Sequence, residues 1–247
     1  MTQEAPLIQM PQLSRALTQV WHLLFDLSQA QPDSWCLVGG LMVMLHGLEH
    51  GRSDLRPTAD GDVLVDIRAR PGALREITRF LSEQGLAAEL APEGIQHRFK
   101  RRADDGDLHV DVLAPDHVGA RANLTTTPPG RTIEVPGGTR ALRRSGRVSV
   151  HVDGRTGQIR RPDIVGAIVV KLEAIGLPGD PARHYQDLAF LLTILREPRQ
   201  GRSELTPKER AKLRACQLQN RDHRAWRLLS VDDVNQGHAA LQLVTAP

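Results

Sequence analysis

Apolar residues at Leu13, Leu17, Val20, Leu23, Leu24 and Leu27 recur at every third or fourth position, a spacing that predicts an amphipathic helix over residues 11–30, bracketed by Pro11 and Pro32. Trp35-Cys36-Leu37-Val38 is then a short apolar run that ends in Gly39-Gly40, followed by the apolar stretch Leu41-Met42-Val43-Met44-Leu45. This reads as strand, tight turn and buried helix. After a polar loop over 48–59, Val63-Leu64-Val65-Asp66-Ile67 predicts a strand and residues 71–84 a helix opened by Pro71. Two more strands follow, over 95–101, where Ile95, His97 and Phe99 alternate, and over 107–113, with an Asp104-Asp105-Gly106 turn between them.

Residues 123–162 change character, with Thr, Pro, Gly and Arg separating short β-branched runs at Thr132–Val135, Val148–Val152 and Gln158–Arg160. From Asp163 the pattern turns helical, with Ile164, Ile168, Leu172 and Ile175 on one face, and helical signals persist over 181–196, 206–220 and 231–243. The expected architecture is α+β: a mixed sheet with flanking helices over 1–125, a β excursion over 126–162, and a C-terminal helical lobe over 163–247, with two lobes sharing one cleft.

With 247 residues, 40% hydrophobic and 25% charged, the composition is that of an ordinary globular protein. Aromatic residues make up only 3%, which leaves little material for a base-stacking platform and argues against a single-strand-binding module. The net charge is +3, with arginines clustered at 98–102, 140–147, 160–161 and 221–227. Such clusters suit a polyanion and a solvated surface equally well, so charge alone decides nothing. Cys36 and Cys216 have neither disulfide-framework nor zinc spacing and are expected to be reduced. No leader-like start and no apolar run of roughly 18 residues is present, so a cytoplasmic protein without membrane association is expected.

Candidate chemistry centres on Asp60-Gly61-Asp62, whose carboxylates at i and i+2 point to one face of an extended chain immediately before an apolar strand. Like charges so close need a neutralising cation, and Mg²⁺ prefers oxygen ligands. Asp111, between Val110 and Val112 in an apolar strand, is costly to bury without a cation or a hydrogen-bond donor. One shared metal site accounts for all three, although Asp-Gly-Asp alone also fits a turn closed by Asx hydrogen bonds and Asp111 alone also fits an exposed strand face.

The order of these motifs is more demanding than any one of them. Leu37-Val38-Gly39-Gly40, then Arg56-Pro57-Thr58-Ala59-Asp60-Gly61-Asp62-Val63-Leu64-Val65, then Val110-Asp111-Val112 resembles the nucleotidyltransferase superfamily. The resemblance implies a nucleotidyltransferase-type sheet in which Gly39 and Gly40 approach the triphosphate. It also implies that Asp60, Asp62 and Asp111 bind two Mg²⁺ or Mn²⁺ ions, and that a nucleotidyl group passes from an NTP to an acceptor hydroxyl. Asp111 is then the candidate to receive the acceptor's proton, while Arg56 and Thr58 stand beside the nucleotide. Lys171-Leu172-Glu173-Ala174 followed by Arg183-His184-Tyr185-Gln186-Asp187-Leu188 looks like the AbiEii/AbiGii toxin-like branch. That likeness implies that Lys171 meets a phosphate, that Asp187 holds Lys171, and that the protein is the toxin of a toxin–antitoxin pair, with a tRNA 3′ end as acceptor and an antitoxin protein as partner. Two alternatives remain open: a small-molecule, aminoglycoside-type acceptor, and a non-catalytic relative that senses nucleotides or binds proteins. Four departures from the pattern stand out: Gly40 where serine is common, a long loop between Gly40 and Asp60, Gly61 between the carboxylates where an aliphatic residue is usual, and His184 where the toxin-like block carries an acid. His46, His97 and His109 read as structural histidines, Asp66 as a solvated carboxylate at the sheet edge, and Arg52, like Arg56, as within reach of a triphosphate.

Overall fold

The computed structural model describes residues 7–52, 56–103 and 106–246. Its main sheet runs in the order β2-β3-β6-β5-β4, from β2 (Trp35–Val38), β3 (Asp60–Val65), β4 (Ala87–Glu89), β5 (Arg98–Arg101) and β6 (Leu108–Pro115). β3 and β6 pair in parallel and the other neighbours are antiparallel, so the sheet is mixed as expected. A two-residue strand, β7 (Glu134–Val135), pairs with the end of β6. The second sheet comprises β1 (Leu7–Gln9), β8 (Ser145–Val152) and β9 (Arg155–Pro162), and α1 (Arg15–Ala30) packs on β9.

α1 begins at Arg15 rather than residue 11 because Ser14 caps it, its hydroxyl accepting from the Leu17 N–H. Its stripe Val20, Leu24 and Leu27 is buried as the periodicity requires. α2 (Gly39–Glu49) follows β2 without a loop and is buried almost all round, so it shows no amphipathic stripe. β3 begins three residues earlier than its apolar run. Asp60-Gly61-Asp62 therefore lies inside the strand and not before it, because pairing with β6 recruits residues that hydrophobicity alone would leave in a loop. The helix predicted over 71–84 is α3 (Ala73–Glu83), and the first strand of the predicted pair starts only at Arg98. Asp104 and Asp105 of the expected turn lie outside the described residues.

The segment read as a β excursion also contains a helix, α4 (Gly138–Arg143), too short to show a period among its arginines. Gly137 and Thr139 donate their N–H groups to Asp116 and so start it. The C-terminal part holds α5 (Ile164–Ala174), α6 (Ala182–Thr193), α7 (Pro198–Glu204), α8 (Pro207–Ala215) and α9 (Val231–Thr245). Asp163 caps α5 and a Thr206–Glu209 capping box opens α8. α7 went unpredicted, and α8 stops five residues short of the expected 220. One apolar cluster includes Leu24 of α1, Val110 of β6, Ile159 of β9, Leu188 of α6 and Leu241 of α9. Cys36 and Cys216 are free, and burial pushes the Cys36 thiol up to about 12. Among the described residues no helix is long and apolar enough to cross a membrane.

β9 approaches α1 so closely that a Cβ on Gly157 would lie 2.4 Å from the buried Phe25 ring. Gly157→Ala should therefore cost about 1–3 kcal/mol by overpacking, read as a lower urea midpoint. An unchanged midpoint would mean that this hairpin does not seat on α1.

Candidate active site

The pairing of three strands places charged side chains in one row. Asp62 of β3 stands directly across from Asp111 of β6, and Asp111 across from Arg98 of β5. Directly opposed residues share a face of the sheet, so two carboxylates and a guanidinium are forced together. Asp60, two residues back on β3 and therefore on the same face, opposes His109. The intervening Gly61 faces the other way, where a Cβ would lie 3.3 Å from Val20 of α1. Its departure from the usual aliphatic residue is thus a matter of helix–sheet packing and not of the site.

A cavity of about 310 Å³ opens over this row. Asp60, Asp62 and Asp111 line it together with Gly39, Gly40, Arg56, Thr58 and Lys171, so these distant sequence candidates share one pocket. Asp187 is the exception. It lies behind the pocket wall, facing an apolar recess beside Val43, Met44 and Phe190. Arg52 is also absent from the lining; its guanidinium pairs with Asp233 at 2.7 Å and covers the Phe190 ring. Asp66 accepts from the Ala69 N–H beyond the end of β3 and faces a separate hollow near Arg147 and Arg160.

Gly39 is required twice over. Its φ is +71°, and a Cβ there would fall 1.7 Å from Asp62 Oδ2. The backbone at the start of α2 can therefore close on the carboxylate, and α2 carries no side-chain cap on its first turn. At Gly40 a Cβ would lie 2.3 Å from Thr58 Oγ1. The threonine hydroxyl occupies the room that a serine at position 40 would need, which accounts physically for glycine there.

Electrostatically the row is unbalanced. Asp111 is buried, and both its oxygens accept from Arg98, Nε and Nη2, each at 2.8 Å. The same guanidinium lies 3.6 Å from Asp60, whose other oxygen is 3.5 Å from His109 Nδ1. These acids hold the Arg98 guanidinium well above its ordinary range, with the Asp111 hydrogen bonds the largest cause. Among the described residues Asp62 makes no such pair. Although the residue as a whole is only half-buried, loss of hydration around its carboxyl dominates, and with the Asp111 charge it pushes Asp62 up to about 7 against the opposing pull of Lys171.

Lys171 of α5 and Asp187 of α6 form a buried ion pair at 2.7 Å, and Arg56 adds a forked contact to Asp187 at 3.1 and 3.3 Å. Burial alone would raise Asp187, but Lys171 and Arg56 outweigh it and keep the carboxyl below its ordinary value. Asp187 thus positions two cations at the pocket wall, as expected for Lys171 and beyond expectation for Arg56. His184, where an acid was expected, is pushed down to about 4 by burial and by Lys171 and Arg183, and its Nδ1 has no hydrogen-bond partner among the described residues.

Sequence reasoning placed Arg98 only within a basic cluster and gave Arg183 no role, yet both line the pocket. Arg98 was recoverable in principle, because pairing the two predicted strands sets it opposite Asp111. Arg183 stood in the quoted Lys171–Leu188 block, but only the packing of α6 brings it to the pocket. Among the described residues no three His, Cys, Asp or Glu side chains converge as a ready ion cage. Arg98 supplies the counter-charge instead. The donor set nevertheless suits a hard divalent cation: three carboxylates on one face, one of them short of neutralisation.

Because the folded state raises Asp62 above its unfolded value, folding stability falls as pH rises from about 4 to about 7. In chelator, Asp62→Asn should therefore melt higher than the parent at pH 8, with the gap closing by pH 5. A lower melting point at pH 8 would show that Lys171 and Arg183 already over-compensate the charge. Asp187→Asn strands the buried Lys171 and should cost about 3–5 kcal/mol in urea unfolding; a loss under about 1 kcal/mol would mean that the pair is not buried.

No family model matches this chain, and no curated protein matches it. Among solved structures the chain is similar to the solution structure of the antibiotic-resistance factor ANT(2'')-Ia, at 17% identity over 74% of this chain and 86% of that one, with a TM-score of 0.40. A likeness this distant carries no argument about function.

Proposed function

We propose that this protein is a metal-dependent nucleotidyltransferase that moves a nucleotidyl group from an NTP to an acceptor hydroxyl. The observation that carries this reading is the direct opposition of Asp62 and Asp111, with Asp60 on the same face and Gly39 against Asp62. Asp60, Asp62 and Asp111 would hold the divalent cations, Mg²⁺ or Mn²⁺. When bound, such ions polarise the α-phosphate and the acceptor oxygen.

The remaining parts belong to the chain itself. N–H groups at the start of α2, at Gly39 and Gly40, present a positive dipole end to the triphosphate. Thr58 offers a hydroxyl donor, and Lys171 and Arg183 offer cations across the pocket. The acceptor oxygen attacks the α-phosphorus, the bond to the bridging β-phosphate oxygen breaks, and pyrophosphate leaves. Asp111 takes the acceptor's proton.

An RNA 3′ end, that of tRNA first, is the acceptor we would try, together with an antitoxin partner, on the likeness of the Lys171–Leu188 segment to the toxin-like branch. Much of the arginine suited to RNA is committed elsewhere: Arg98 to Asp111, Arg144 to Asp163 and Glu204, Arg147 to Asp33. RNA contact would fall to exposed side chains such as Arg102, Arg143 and Arg183. Strongly salt-dependent RNA binding would favour this acceptor, and salt-insensitive use of a small alcohol would favour the aminoglycoside-type alternative.

Incubation with α-labelled NTPs, Mg²⁺ and either total RNA or small hydroxyl acceptors should label a product, and Asp60→Ala should reduce labelling by at least about a hundredfold. No product with any NTP, alongside a thermal shift on NTP and Mg²⁺, would overturn transfer in favour of nucleotide sensing. No shift at all would favour a protein-interaction module.

A further inference from the structure

Arg98 occupies a position that is hard to reconcile with a passive surface arginine. Its guanidinium grips both oxygens of buried Asp111 and reaches toward Asp60, two of the three carboxylates proposed to hold cations. The strand register sets the two side chains side by side, because Arg98 and Asp111 are direct partners across β5 and β6. A guanidinium forked onto a carboxylate uses the oxygens that an ion would need. Each oxygen keeps a second lone pair, but the fixed positive charge beside it weakens the pull on a cation.

The row continues past Arg98. Its direct partner on the other side is Glu89 of β4, at the edge of the sheet, so Glu89 lies on the same face and adds to the negative field around the guanidinium. Arg98 thus stands between two carboxylates, Asp111 inside the pocket and Glu89 outside it. Among the described residues Glu89 pairs with Lys100, at 2.9 Å in an exposed contact, and exposed pairs are weak. Arg98 is itself a long side chain on β5, one strand in from the edge, and its side chain is about one third exposed.

We infer that Arg98 is a resident counter-ion and gate of the acidic site, holding Asp111 and Asp60 together when no divalent cation is bound and swinging toward Glu89 to admit one. This rests on the metal-dependent nucleotidyltransferase reading and extends it. Arg98 stabilises a pocket whose negative charge would otherwise be uncompensated, at the cost of weaker cation binding. Release of Asp111 also frees the oxygen that receives the acceptor's proton, so gate opening and formation of a competent base become one event. Arg98 is a positioning residue in this scheme, acting through Asp111.

Mn²⁺ binding to the full chain, followed without NTP by electron paramagnetic resonance of the free ion and by thermal shift, tests the gate. Arg98→Met should bind Mn²⁺ about tenfold tighter than the parent, the equivalent of one charged hydrogen-bonded contact removed. In chelator it should melt lower than the parent, with the difference recovered on adding Mn²⁺. Arg98→Lys, which keeps the charge, should stay within about threefold of the parent. Glu89→Gln should weaken Mn²⁺ binding in the parent and leave it unchanged in the Arg98→Met background, because the outward partner then has nothing to receive. Equal or weaker Mn²⁺ binding by Arg98→Met overturns the gate while leaving nucleotidyl transfer standing if the parent binds Mn²⁺. Absence of Mn²⁺ binding in parent and variant alike overturns both.

Discussion

Two carboxylates side by side in the middle of a sheet are the constraint around which this molecule is arranged. β3 and β6 pair in parallel with Asp62 against Asp111, so both acids stand on one face of the sheet as direct neighbours. Their repulsion has to be met by something positive. Arg98 meets it at Asp111 and Lys171 meets it partially at Asp62, where loss of hydration first and the Asp111 charge second push the carboxyl up to about 7.

The surrounding structure supplies those cations from three different elements. Arg98 arrives through the β5–β6 register, Lys171 from α5 and Arg183 from α6. Lys171 is useful at the pocket only because Asp187 fixes it from behind, and Asp187 also holds Arg56 at the entrance. One buried acid therefore sets two basic side chains. The helical part of the chain, which carries none of the three site carboxylates, completes their electrostatics.

Glycine usage follows from the same crowding. Gly39 lets the turn between β2 and α2 close on Asp62, Gly40 leaves room for Thr58, and Gly61 admits α1 against the back of the strand. Two of these face the pocket and one faces the core, a difference that spacing along the chain does not reveal. The glycines at positions 40 and 61 thus have local packing reasons.

Much of the fold could be read directly from the chain, because periodic burial and capping are local. The stripe of α1, the apolar run of β2, the alternation before Asp111 and the Asp163 and Thr206 caps all act within a few residues. The grouping of Asp60 with Asp62 was legible for the same reason, since residues two apart on a strand share a face. Short α4 and α7 escaped, having less than two turns or so in which to show a period. Whether Asp111 stood beside Asp62, whether Arg98 faced it, and whether Lys171 and Asp187 met were matters of register and helix packing between residues tens of positions apart. The chain alone selected the side chains and their strands; the tertiary structure decided which charges face one another, because cross-strand pairing and helix docking bring together residues that no local pattern connects.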